Sequence, residues 1–245
     1  MTFAAEEATS RYTIDHVRVI FREHSTTFEA TDGRRISRAF YEAGSVQDGT
    51  ERVILLPRHI AAKLSRISGK AQCMARIGVS ADGRVECTYV KPRRKADDEL
   101  VTVNWNQPEN RRWPTTTDFF DLTRNAAIVG EAKDLREFFT PNPYVITRVR
   151  DGKLVRTTDV RTPSCCELYQ QPSRDERLKK GTDIGVWGDL PKGRDIRLNG
   201  DYVCEWLDTL EDKDRVIIWF EDSENRIHAN AGNFDYILMP MAQER

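Results

Sequence analysis

The stretch that decides the fold is Thr31-Asp32-Gly33-Arg34-Arg35-Ile36. It follows an apparent strand, and Asp-Gly is a strong turn signal because glycine adopts positive φ without strain. Ile36 resumes the apolar pattern, so the sequence predicts that the chain turns at Asp-Gly and continues as a second strand. Taken alone, the hexamer most often forms a plain hairpin with solvated arginines.

A second informative stretch is Tyr236-Ile237-Leu238-Met239-Pro240-Met241. It is apolar, whereas the last residues of a chain are usually polar and frayed. Pro240 cannot donate to a β ladder, so the strand is expected to end there or to run along an edge. Methionine offers soft, adaptable surface of the kind found at binding grooves. A last core strand and a binding surface both fit this composition.

Strand signals dominate the rest of the chain, as alternating or short apolar runs. Asp82-Gly83 and Asp151-Gly152 predict further hairpins, whereas segments 91–98 and 161–183 are expected to be irregular. The predicted strands cover residues 16–22, 26–30, 53–56, 75–79, 84–90, 100–105, 144–149, 153–157, 194–198, 215–220, 225–229 and 234–239.

Helical spacing of apolar residues predicts two helices and a third candidate. The first begins at Pro57, whose missing N–H costs nothing at a helix start, and stops near Gly69. The second covers 200–210, and the third candidate covers 131–139. Two prolines within 106–114 indicate a connection between domains. We therefore expect two domains, 1–122 and 123–245, that each contain strands, a helix and further strands.

Composition excludes several classes of protein. A net charge of −1 over 245 residues argues against nucleic-acid binding through bulk positive charge, although not against a local basic face. No signal peptide and no apolar run long enough to span a bilayer is visible, so no membrane association is expected. The five cysteines are an odd number without metal-ligand spacing. We expect a cytoplasmic protein with reduced thiols and with neither metal nor cofactor.

Catalytic motifs are not visible in the sequence. The four histidines are scattered, and no nucleophile motif or glycine-rich phosphate loop occurs. The paired acids Asp97-Asp98 and Asp212/Asp214 lie in loop-like contexts that favour solvated charge. An enzyme is therefore disfavoured, no catalytic residues are predicted, and function is expected to reside in surfaces that bind partners.

Taken in order, these motifs resemble the second and third domains of the bacterial DNA polymerase III β subunit, the DNA sliding clamp. Thr31–Ile36 is similar to the family's Thr-Asp-Gly-His-Arg-Leu turn, with Arg34 in place of the histidine. Arg112-Trp113-Pro114 is similar to its Arg-Phe-Pro, and Tyr236–Met241 to its Tyr-Val-Val-Met-Pro-Met. Arg197–Val203 resembles the strand and helix start of its last domain. The match covers 12–114 and 194–241 and is poor over 123–190, which indicates a divergent clamp, such as a phage-encoded one.

The resemblance implies an α+β DNA clamp (processivity) fold of two clamp-type domains, with antiparallel sheets and few short helices. It implies a pocket for the clamp-binding peptides of a DNA polymerase and other replication proteins. That pocket would be formed by Ile14, Thr31, Gly33, Arg35, Ile36, Asn199, Tyr202, Ile237, Met239, Pro240 and Met241. Sequence-independent contacts to duplex DNA would come from Arg58, Lys63, Arg66, Lys70, Lys91, Arg93, Arg94 and Lys95.

A ring around DNA would need three copies of a two-domain chain, so the resemblance implies a homotrimer that is opened by a clamp loader. Two features favour an alternative, a clamp-like adaptor, decoy or regulator that keeps the peptide pocket without encircling DNA. Only about ten residues precede the strand near Tyr12, where the family has a helix that lines the hole. The helix over 200–210 also presents Asp201, Glu205 and Asp208, whose charge has the wrong sign for phosphate.

Overall fold

Antiparallel sheets with short helices make up the computed structural model of the chain. The structure describes residues 1–6, 12–42, 46, 49–65, 75–91, 99–109, 112–121, 126–139, 146–150, 153–157, 165–168, 185–188, 196–221 and 226–240. The chain divides into two compact units. Unit 1 comprises Met1–Gly33 and Ala39–Pro114, and unit 2 comprises Arg34–Arg38 and Thr115–Arg245. The predicted domain boundary at residue 122 stays a prediction.

The described part of unit 1 contains a short 3-10 turn, a group of antiparallel strands, one α-helix and a three-stranded sheet. Strand β1 pairs with β2 on one side and β4 on the other, and the second sheet has the order β5-β6-β7. The elements are the 3-10 turn Thr2–Ala4, β1 His16–Phe21, β2 Thr26–Thr31, β4 Arg52–Pro57, α1 Arg58–Ser65, β5 Ala75–Val79, β6 Arg84–Lys91 and β7 Glu99–Asn106. Strand β3, Arg35–Tyr41, begins in unit 2 and ends in unit 1.

The core of unit 1 lies between its two sheets. Alternate residues of the first sheet, such as Val17, Val19 and Ile54, point to the same face because side chains alternate along a strand. They pack in one cluster with residues of the second sheet, including Val85 and Trp105. The Trp105 indole N–H also donates to the backbone carbonyl of Leu55 at 2.9 Å.

The described residues of unit 2 form two sheets and two α-helices. One sheet has the order β12-β8-β14-β15-β16 and continues to the start of β3, and the other has the order β10-β9-β11-β13. Among the described strand pairs β8–β12, β8–β14, β14–β15, β15–β16, β9–β10, β11–β13 and β9–β11, only β9 with β11 is parallel. The elements are β8 Ala126–Glu131, α2 Ala132–Phe139, β9 Ile146–Arg150, β10 Lys153–Thr157, β11 Cys165–Leu168, β12 Gly185–Gly188, β13 Ile196–Asn199, α3 Gly200–Leu207, β14 Arg215–Phe220, β15 Ile227–Ala231 and β16 Phe234–Leu238, with a 3-10 turn at Thr117–Phe120.

The predicted fold class is confirmed, and most predicted strands are found within two residues of their expected ends. The hairpin at Asp82-Gly83 is present, and Gly83 has φ of 83°. The first helix begins at Arg58 and not at Pro57, because Pro57 still pairs with His16 as the last residue of β4. The second ends at Leu207 and not at Leu210, because the following turn tightens to bonds between residues three apart.

Three strands were not expected from the sequence. Strand β11 lies within 161–183, the segment predicted to be irregular, and β12 follows that segment. Strand β8 precedes the helix candidate that proves to be α2. The predicted turn at Asp151-Gly152 lies outside the described residues, although the flanking β9 and β10 pair as a hairpin would require. Most of the predicted loop 91–98 also lies outside them.

Candidate functional site

The candidate site of unit 2 begins with the cap of helix α3. The side chain of Asn199 accepts hydrogen bonds from the backbone N–H groups of Asp201, at 3.0 Å, and Tyr202, at 3.4 Å. Asparagine is among the best N-caps because its side-chain oxygen satisfies donors that a helix start leaves unpaired. The cap therefore fixes the first turn of α3, and Tyr202 and Glu205 lie three residues apart on neighbouring positions of the helix surface.

Strand β16 is attached to α3 by two aromatic residues. The buried rings of Trp206 and Tyr236 stack with centroids 5.3 Å apart and an interplanar angle of 6°. The Tyr236 hydroxyl donates a 2.9 Å hydrogen bond to the backbone carbonyl of Tyr202. The end of β16 is also tied to β3, because the backbone N–H of Met239 donates to the carbonyl of Arg34 at 3.0 Å. Helix α3, β16 and the start of β3 are thus fixed to one another.

Arg35 is the charged centre of this arrangement. Its guanidinium lies 3.9 Å from the centroid of the Tyr202 ring and donates to Glu205 Oε2 at 2.5 Å. The Arg35 side chain is 7% exposed, whereas that of Glu205 is 49% exposed. Arg34, which is exposed, directs Nη1 to the Tyr202 hydroxyl at 3.5 Å. Arg34, Arg35 and Tyr202 therefore lie together, and we call these three residues the rim of the candidate site. Glu205 forms an ion pair with Arg35 of this rim.

Apolar residues adjoin this rim, and they differ in exposure. Met239 is 41% exposed, while Ile36 and Ile237 are buried and Pro240 is half-buried. The core beneath is closed, since the cavity lined by Leu198, Val203, Trp206, Ile218, Ile227, Ala229, Tyr236 and Leu238 has a volume of about 10 Å³. Ligand pockets usually measure roughly 300–1,000 Å³. This cavity is therefore too small to be a ligand pocket.

The other predicted pocket residues lie in unit 1 or outside the described chain. Ile14 and Thr31 are buried, and Gly33 has φ of 85°, a conformation that favours glycine. The backbone N–H of Gly33 donates to Thr31 Oγ1 at 3.1 Å, so the Thr-Asp-Gly turn is held by its own side chain. Met241 lies outside the described residues.

The predicted DNA contacts are only partly described. On α1, Lys63 is exposed, whereas Arg58 is half-buried and its Nε donates to the backbone carbonyl of Thr2 at 3.0 Å. Lys91 is the last residue of β6. The remaining candidates, Arg66, Lys70, Arg93, Arg94 and Lys95, lie outside the described residues.

The exposed side of α3 is acidic, as expected, because Asp201, Glu205 and Asp208 are exposed. Asp208 is nevertheless paired with Arg136 of α2, at 2.8 Å. Arg136 also donates to the carbonyl of Leu207 at 2.8 Å and to Asp212 at 2.9 Å, so it caps the C-terminal end of α3. The sequence did not indicate the roles of Arg136 or Glu205. The three-residue spacing of Glu205 from Tyr202 places the two side chains near each other on α3 but does not identify Arg35 as a partner.

The described ranges contain no candidate metal site and no candidate membrane-spanning helix. No group of three or more His, Cys, Asp or Glu side chains there is arranged to hold a metal ion. No helix in the same ranges is both long and apolar enough to cross a bilayer.

The chain is similar in structure to several solved DNA polymerase sliding clamps. A DNA polymerase sliding clamp from Pseudomonas aeruginosa superposes with a TM-score of 0.72 at 16% identity, covering 99% of this chain and 62% of that one. A putative DNA polymerase III β subunit from Eubacterium rectale gives 0.72 at 13% identity, with coverages of 99% and 61%. The DNA polymerase III β subunit of Thermotoga maritima gives 0.66 at 16%, with 99% and 61%. This chain has the sliding-clamp fold.

The clamp fold is shown by superposition on solved structures. No protein-family model and no curated protein matches the chain. The chain spans 61–62% of the length of the solved clamps with which it superposes. The resemblance inferred from the motifs is thereby confirmed at the level of the fold.

Proposed function

We propose that the chain is a sliding-clamp-like processivity factor. In this proposal it forms a homotrimeric ring around duplex DNA in the cytoplasm, is opened by a clamp loader, and contacts DNA without sequence preference. It binds the clamp-binding motifs of a DNA polymerase and other replication proteins. The observation that carries the proposal is the surface of α3, β16 and β3, in which Arg35, Tyr202 and Met239 lie together on a clamp fold.

The surface suits a short linear peptide for physical reasons. Exposed Met239 offers an adaptable apolar contact for Leu or Phe anchors. Within the rim, Arg34 offers a charged group and Tyr202 a hydroxyl group for the polar residue that begins such a peptide. The predicted pocket also includes Ile14, Thr31 and Gly33, and the contribution of these residues is part of the proposal.

Peptide affinity tests the proposed surface. A peptide of the Gln-Leu-x-Leu-Phe type should bind, and Met239→Ala should weaken it about tenfold, since burying a methionine contributes roughly 1.5–3 kcal/mol. Deletion of residues 239–241 should remove most of the affinity. Leu100→Ala is the matched control, because Leu100 is 69% exposed on β7 of unit 1. Equal affinities of wild type, Met239→Ala and the deletion would show that the peptide binds elsewhere.

Oligomeric mass tests the ring. Three copies of 28.3 kDa should sediment together at micromolar concentration. A monomer under those conditions would exclude a ring of three chains. The DNA contacts are tested by Lys63→Glu, which should weaken binding to duplex DNA and flatten its dependence on salt by about one released counterion.

A second candidate is a clamp-like interaction protein, an adaptor, decoy or regulator that binds peptides without encircling DNA. The exposed acids of α3 favour it, because Asp201, Glu205 and Asp208 would repel phosphate. The bond between Arg58 and the Thr2 carbonyl also favours it, because that guanidinium is engaged within the chain. A monomer that still binds the peptide, with loss of binding in Met239→Ala, would support this candidate over the ring.

A further inference from the structure

Arg35 is a buried cation that forms an ion pair with Glu205. A buried cation is costly unless it is paired, and Arg35 is 7% exposed. The Tyr202 ring faces its guanidinium at 3.9 Å, and Glu205 accepts from Nη1 at 2.5 Å. Glu205 is therefore a counter-ion of this buried arginine.

Glu205 occupies a position that solvent and ligands can reach. Its side chain is 49% exposed, so the carboxylate lies at the boundary between Arg35 and solvent. A ligand carboxylate that approached Arg35 would meet the negative charge of Glu205 and would have to displace it. A neutral polar group would meet no such repulsion and would leave the ion pair intact.

The described side chains around the rim include two cations and two acids. Arg34 and Arg35 contribute two positive charges, and Asp201 and Glu205, one turn apart on α3, contribute two negative charges. Removing the carboxylate of Glu205 takes one negative charge from this surface, next to a buried guanidinium. Glu205 thus lowers the attraction of the rim for anions.

We propose that Glu205 is a specificity-determining residue of the candidate peptide surface: by neutralising Arg35, it selects linear peptides with a neutral polar head over those with an acidic head. This inference rests on the proposed peptide-binding function. It assigns a role to a residue that the predicted pocket did not include.

The test compares two peptides that differ only in the charge of the head. Acetyl-Gln-Leu-Ser-Leu-Phe and acetyl-Glu-Leu-Ser-Leu-Phe have nearly the same shape, and acetylation removes the charge of the amine. Their dissociation constants are measured by titration calorimetry with the full wild-type chain and with Glu205→Gln. Wild type should favour the Gln peptide about fivefold, and Glu205→Gln should abolish or reverse this preference, as expected for one charge pair at a partly exposed site.

Asp201→Asn is the matched control, because it removes one negative charge from the same side of α3 without removing the Arg35 counter-ion. Its preference for the Gln peptide should stay within about twofold of wild type. An unchanged preference in Glu205→Gln, or an equal change in Asp201→Asn, would overturn the inference. If wild type binds neither peptide, the proposed function fails and the inference with it, an outcome distinct from binding with an unchanged ratio.

A double variant tests the inference if Glu205→Gln does not fold. If loss of the ion pair with Arg35 unfolds Glu205→Gln, Arg35→Met combined with Glu205→Gln removes the buried charge together with this partner. The double variant should bind both peptides with affinities within about twofold of each other, since neither charge remains. A retained fivefold preference for the Gln peptide in the double variant would overturn the inference.

Discussion

Replacement of Trp206 by alanine tests how the candidate surface is held in place. Trp206 is fully buried, stacks on Tyr236, and lies edge-on to Phe234 with ring centroids 6.1 Å apart. No described residue accepts a hydrogen bond from its indole Nε1. Trp206→Ala therefore removes packing without removing a hydrogen bond.

The size of the effect follows from burial. Truncation of a buried tryptophan to alanine costs about 3–5 kcal/mol, because transfer free energy is lost and a cavity is left. The adjoining cavity is already about 10 Å³ and apolar, so water cannot compensate by hydrogen bonding to its walls. With a urea slope of about 2 kcal/mol per molar, the unfolding midpoint should fall by roughly 2 M. That loss is a large part of the roughly 5–15 kcal/mol that stabilises a typical protein.

The assay is urea unfolding followed by far-ultraviolet circular dichroism, which does not depend on tryptophan fluorescence. Trp219→Ala is the matched control, since Trp219 lies in the same unit on β14 but is only half-buried. Its midpoint should fall by less than half as much. Equal shifts in the two variants, or a shift below about 0.5 M in Trp206→Ala, would refute the conclusion that the Trp206–Tyr236 stack anchors α3.

Three further predictions concern other contacts. Asn199→Ala should lower the free energy of unfolding by about 1 kcal/mol through loss of the α3 cap, while Asn199→Asp retains it; an unchanged thermal midpoint in the alanine variant contradicts this. Gln107→Ala should lower the free energy of unfolding by roughly 1–3 kcal/mol, because the Gln107 amide pairs with both backbone groups of Leu55, at 2.8 and 2.9 Å. A decrease below about 0.3 kcal/mol would contradict this, since surface substitutions commonly have effects of that size. Burial acts to raise the pKa of Asp235, but hydrogen bonds led by that from His228 hold it below its usual 3.8. Asp235 therefore stabilises the fold fully above pH 3.8 and loses this contribution as pH falls through its folded pKa, so Asp235→Asn should remove that part of the acid dependence in unfolding curves.

The sequence predicted the strands whose apolar and polar residues alternate as their burial in the structure does. Strand β6 alternates buried Val85 and Cys87 with exposed Glu86, so period-two reasoning applied directly. Strand β8 carries no such alternation, because Ala126, Ala127 and Ile128 are all buried. Alanine and glycine also have low strand propensity, and only pairing with β12 and β14 makes this segment a strand.

The sequence identified only some residues of the candidate site. Arg35 and Tyr202 could be singled out because they lie in two motifs that resemble those of the clamp family. Glu205 could not be assigned to Arg35, because the two residues are 170 positions apart and pair only when β3 reaches α3. An exposed helical acid is usually a solvated charge, and the sequence contains nothing that distinguishes one with a buried partner.

Burial also determines which substitutions can separate binding from folding. Ile36 and Ile237 belong to the predicted pocket but are buried, so their truncation costs about 2–5 kcal/mol whether or not a peptide touches them. Loss of binding in Ile237→Ala would therefore not identify a contact. Met239 is 41% exposed, and its replacement should change stability by only about 0.5 kcal/mol. Weaker peptide binding by Met239→Ala at an unchanged unfolding midpoint is thus the combination of results that assigns a direct contact to the surface of α3, β16 and β3.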